Sequence, residues 1–183
     1  FNNQSLSYGP SLIYTTDLES SNDQFFKVKN GKPFFAIVNL EVSRSDADNE
    51  IIEDYSGEGW ITQGHIESVP NNGYEHWKKA TIKGLEFAFS LSNEKWKVKI
   101  KKVEGRIATD TNPTIVGFVT ILAFCEQANL ILHSDLKSKL EDFVFNSWNS
   151  DNDGKIPDVL HHENGSKRRE RLGQHEPTAW PRS

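Results

Sequence analysis

The chain has one cysteine and no methionine in its 183 residues. The lone thiol, Cys125, rules out an intrachain disulfide and points to a reducing, cytoplasmic compartment. The missing methionine reads as a trimmed start, which leaves a cleaved signal peptide open. Long hydrophobic runs are absent as well. The greasiest stretch, Ile115–Cys125, stops at Glu126, whereas a membrane span takes about 20 residues. We therefore expect a soluble chain with no membrane partner. A net charge of −5 disfavours nucleic acid or an anionic membrane as the partner of the whole surface. Signatures of catalysis are missing too: no GxSxG, no GxxxxGK[ST], no HExxH, no CxxC and no Cys-His pattern.

What is present is bulky core material, with 11 Phe and 5 Trp, and enough length for one domain to bury a core without staples. Residues 1–22, rich in Ser, Asn and Thr, read as a loosely held arm in which Ser11–Thr15 alone has the pattern of a short strand. A β-hairpin follows. Phe25–Lys29 and Lys32–Leu40 flank Asn30-Gly31, the pair that supplies both positive-φ positions of a type I′ turn. Phe34, Ala36, Val38, Leu40 and Val42 then share one strand face. Residues 43–50 read as an acidic loop and Gly59–Val69 as a third strand. After Pro70–Gly73, the spacing of Tyr74, Trp77, Thr81, Leu85, Ala88 and Phe89 predicts a helix, in which Gly84 marks a close contact.

Trp96–Lys101 alternates as a strand. Its apolar parity flips between Ile100 and Val103, which predicts a bulge near Lys101-Lys102. Ile107 falls on the second parity, so it too is expected inward. Asn112 and Pro113 have the chemistry of an N-cap and first helical residue. The helix they open, expected to reach about Leu132, is apolar on nearly every side and should be central, with Cys125 as packing. A final helix from Ser134 carries Leu136, Leu140, Phe143, Val144 and Trp148 inward. The resulting expectation is an α+β fold, β-β-β-α-β-α-α, with a mainly antiparallel sheet and helices on one face as a two-layer sandwich. Residues 23–148 form the single domain and 149–183 a polar C-terminal tail.

The stretch Lys78–Ala88, then Trp96–Ile100, Glu104-Gly105, Asp110 and the apolar helix, resembles domain IV of elongation factor G-type translational GTPases, over residues 72–131. The resemblance implies a ribosomal-protein-like βαβ fold and an RNA- or ribosome-associated module. The shared letters are mostly core positions, so it speaks for fold and carries over no functional residue.

Candidate chemistry concentrates after Trp148. Asn149–Asp158 resembles a calcium loop, with Asp151 and Asp153 at alternate places and Gly154 at the turn, although Leu160 stands where the bidentate Glu belongs. Asp158, His161, His162, Glu163 and His175 are the densest set of zinc-type ligands. Lys167, Arg168, Arg169 and Arg171 form a basic patch suited to phosphate or nucleic acid. Lys95, Lys97, Lys99 and Lys101 make a ladder read as a solvated face that discourages edge pairing. Glu53, Asp54, Glu58 and Glu67 with His65 are candidates for acid–base work without a spacing that assembles them. Taken together, the leading expectation is a binding protein without catalytic activity. It would engage another protein through the acidic loop 43–58 or the tail ending at Trp180. A metal-dependent hydrolase or nuclease using the C-terminal ligands is the alternative, and oligomeric state leaves no trace.

Overall fold

The computed structural model describes residues 22–148. They form a mixed five-stranded sheet and three helices, the α+β class expected. Strands β1 (Asn22–Lys29) and β2 (Lys32–Arg44) pair antiparallel around Asn30 and Gly31, whose φ angles of 53° and 73° are those the Asn-Gly turn requires. Strand β3 (Glu50–Glu53) comes next, followed by the two-residue β4 (Glu67–Ser68), helix α1 (Glu75–Phe89) and strand β5 (Trp96–Gly105). Helices α2 (Pro113–Gln127) and α3 (Ser134–Phe145) complete the order.

The expected third strand is corrected in two ways. Within 59–69 only Glu67 and Ser68 form a ladder, and the chain between Gly59 and Glu67 is irregular. The strand lies instead inside the acidic stretch, where Glu50–Glu53 runs parallel to β5. A four-residue strand bounded by acids gives little periodicity to read, and a neighbour fixes it rather than its own pattern.

Strand order is β1-β2-β5-β3, with β4 also on β5. The lysine-bearing strand is therefore interior, which overturns its reading as a protected edge. Its lysines are answered by the acids of the neighbouring segment: Glu50 stands opposite Lys97 in the parallel register and meets it at 2.9 Å. The parity flip is a bulge, as expected. Leu40 pairs with Ile100 and Asn39 with Lys102, leaving Lys101 as the extra residue. Trp96, Val98 and Ile100 before it, and Val103 after it, are all buried. Ile107 lies beyond the strand and is 55% exposed, contrary to expectation.

The helices cover the sheet face that carries Phe34, Ala36, Val38 and Leu40. Asn112 caps α2 as expected, its side-chain oxygen accepting the Ile115 N–H at 3.0 Å. Ile115–Ile121 and Ala123–Cys125 are buried, so α2 is the central helix. It ends at Gln127 rather than Leu132 because Asn129 turns left-handed (φ 52°). The Leu130 N–H then reaches the Cys125 carbonyl at 2.8 Å and the Asn129 N–H that of Glu126 at 3.1 Å, a Schellman ending. Gly84 is the close contact between α1 and α2: a Cβ there would lie 2.6 Å from the Gly117 carbonyl oxygen. Helix α3 is tied to the hairpin by Lys27 with Glu141 and Lys29 with Asp142, both lysines lying over the Phe145 ring.

Candidate functional site

The chain segment from Asp54 to Tyr74 crosses from β3 to α1 and builds one corner of the molecule. Backbone bonds hold it: Gly59 N–H donates to the Ser68 carbonyl, Gly57 N–H to Val69, and Val69 N–H to Val103 on β5. Beneath it sits Glu67, only 4% exposed. A buried carboxylate needs donors, and Glu67 has two. The Tyr74 hydroxyl donates to one oxygen at 2.5 Å and the Ile107 N–H to the other at 3.2 Å. Burial and the carboxylate bond push the Tyr74 phenol above its ordinary value of 10.0.

Tyr74 is held in the left-handed region (φ 57°) at the start of α1, although its side chain does not cap the helix. For a bulky residue that conformation costs about 1–3 kcal/mol and persists only where surroundings enforce it. Here the Glu67 bond and the packing of its ring on Trp77, with centroids 5.4 Å apart, do so.

The same Asp54–Tyr74 segment carries Trp60, Ile61 and Ile66, which with Ile107 are four of the seven large hydrophobics exposed among the described residues. Trp60 follows Gly59, which bridges to Ser68; Ile66 adjoins Glu67; Ile107 hangs its N–H on the same carboxylate. Next to Ile107 a cavity of about 800 Å³ opens between the starts of α1 and α2. Tyr74, Trp77, Ile107, Pro113 and Trp148 give it apolar walls.

Each sequence-derived candidate finds its place against this corner. Asp54 is bound by Lys101 at 2.5 Å and Lys99 at 3.0 Å, and those two hydrogen-bonded cations hold its carboxyl below the ordinary 3.8. The Lys101 ammonium is raised in turn by Asp54. Glu53, Glu58 and His65 are exposed, and no hydrogen bond or ion pair joins them to Glu67. The acid–base assembly is therefore not built by these residues. Cys125 is buried, and burial pushes its thiol up to about 11, in keeping with packing. Among the described residues no group of three or more metal-type ligands comes together, and no helix is long and apolar enough to cross a membrane. The calcium-like loop with Asp151 and Asp153, the zinc-type set Asp158, His161, His162, Glu163 and His175, and the basic patch Lys167, Arg168, Arg169 and Arg171 lie outside the described residues.

Sequence reasoning missed the Glu67–Tyr74 pair and the exposed cluster. The one signal was a tryptophan and isoleucines, Trp60, Ile61 and Ile66, in a stretch with poor strand alternation. Compared with family models and with curated proteins, the chain matches none.

Proposed function

We propose that this chain is a binding protein that engages another protein through the corner built by residues 57–69 and Ile107. The observation that carries the reading is the exposure of Trp60 (64%), Ile61 and Ile66 on a segment whose backbone is hydrogen-bonded in place, with exposed Ile107 bonded to the same segment through Glu67. Exposed apolar clusters on an ordered frame are what protein interfaces use, and tryptophan is the residue most often found at their energetic centre. The contact face thus moves from the acidic loop to the residues just after it.

A protein partner fits better than RNA, the partner that the resemblance to translational GTPases suggests. Lys97, Lys99 and Lys101, the cations displayed along the sheet, are each ion-paired, Lys97 with Glu50 and the other two with the single carboxylate of Asp54. The exposed corner offers carbon rather than a row of free cations, which phosphate recognition needs.

A photo-crosslinking residue at position 60 of the full chain, expressed in its native cells, tests this. The expected result is a discrete adduct with a protein from position 60 and none from position 131, an exposed isoleucine outside the corner. Adducts with nucleic acid, equal adducts from both positions, or no adduct at 60 would remove the reading.

A further inference from the structure

At about 800 Å³, the cavity between the starts of α1 and α2 has the size of a small-molecule site. Three polar side chains in its walls are committed elsewhere, while the indole N–H groups of Trp77 and Trp148 have no partner among the described residues. The Thr111 hydroxyl donates to the Phe35 carbonyl and accepts the Arg106 N–H. Asn112 caps α2 with its oxygen and donates its amide to Ser147. The Tyr74 hydroxyl is engaged by Glu67. Carbon is therefore what the walls chiefly present, in the rings of Tyr74 and Trp148 and the side chains of Ile107 and Pro113. Glu75 and His76, both exposed, supply the polar rim.

The backbone at Tyr74 is an independent observation. Tyr74 is the N-cap of α1, its carbonyl accepting the Trp77 and Lys78 N–H groups, yet it is left-handed and its side chain makes no cap; instead the buried Glu67 carboxylate holds the hydroxyl. Strain maintained by a buried anchor fixes the ring in place before any ligand arrives, which is the design of a preformed binding surface.

We propose that this cavity binds a planar, uncharged aromatic molecule, laid against Tyr74 and Trp148 with its polar edge toward Glu75 and His76. Rings stack on rings, so a flat ring system matches the walls. An anion would meet Glu75 and the chain's net charge of −5. A cation would give up its water for ring faces alone, because Glu75 is already paired with Lys78 at 3.9 Å. An uncharged ligand avoids both penalties. The cavity shares Ile107 with the protein-binding corner, but a failure of cross-linking at position 60 leaves it standing.

Prodan, an uncharged naphthyl ketone whose emission shifts to the blue on leaving water, is the probe, titrated into the full chain. Saturable one-to-one uptake is expected. Ile107→Asp, at a wall position that is 55% exposed and so tolerant of change, weakens it about tenfold by setting a charge against the ring. Tyr74→Phe keeps the ring, releases the anchor and weakens uptake about threefold. Ile131→Asp, 89% exposed and outside the cavity, leaves uptake unchanged, and melting curves establish that each variant is folded. A wild-type chain that takes up no Prodan overturns the proposal. So does Ile107→Asp binding as well as wild type, or Ile131→Asp binding as poorly as Ile107→Asp. If anionic anilinonaphthalene sulfonate binds as tightly as Prodan, the assignment to an uncharged ligand falls.

Discussion

Where α1 meets α2, apolar residues are sealed so tightly that no Cβ fits at Gly84, whereas at the β4 corner Trp60 stands 64% exposed. The two regions draw on similar residue types and reach opposite ends. The helix contact is held by interdigitated side chains, among them Phe124, edge-on to Phe89 of α1 at 5.3 Å and also to Trp96 of β5 at 5.5 Å. The corner is held by backbone bonds and by the Glu67–Tyr74 pair, so its large side chains are free of structural duty. Stability belongs to the first region, and the freedom to bind belongs to the second.

The sharpest way to break this contrast is at the C-terminal end of the helix contact, where Phe124 packs on Phe89. Phe124→Ala, at a side chain with no exposed surface, should cost about 3–5 kcal/mol in urea unfolding. Next is Gly84→Ala. Its Cβ would crowd the Gly117 carbonyl, and the overpacking should lower stability by about 1–3 kcal/mol, although alanine is the better helix former. If Gly84→Ala instead stabilises the chain, the two helices are not in the close contact described.

A third measurement addresses the anchor itself. Tyr74 is held above its ordinary 10.0 by burial and the Glu67 bond, and Tyr55 by burial and the charge of Glu53. A raised folded value means stability that is full below pH 10 and declines as pH rises from there toward the folded value. Phenolate absorbance should thus show Tyr55 and Tyr74 ionising late, together with alkaline loss of structure. Tyr74→Phe should remove one late-ionising phenol. The smallest effect is expected at the face of the corner: Trp60→Ser should shift stability by no more than about 0.5 kcal/mol. A larger loss would mean that Trp60 packs as structure, and the contrast would fail.

Much of this was legible along the chain because the signals are local. Asn30-Gly31 dictates its turn through positive φ, and Asn112-Pro113 starts α2 through a cap that reaches three residues ahead. The change of parity after Ile100 carries the bulge. Other features depend on partners far along the chain. Glu50–Glu53 becomes a strand because β5 offers it a parallel edge and places Lys97 opposite Glu50. Leu130 leaves the helix because Asn129 turns left-handed, a conformation its polar apolar-flanked sequence allows but does not compel.

By itself, then, the sequence determined the fold class, the hairpin, the central helix and the bulge, since periodicity and capping act over a few residues. The tertiary structure alone decided that the lysine-bearing strand lies inside the sheet with Lys97, Lys99 and Lys101 ion-paired, that Glu67 is buried against Tyr74, and that Ile107 is exposed beside the same carboxylate. Those outcomes turn on which segments become neighbours. Burial and charge pairing are properties of neighbours, not of residues taken one at a time.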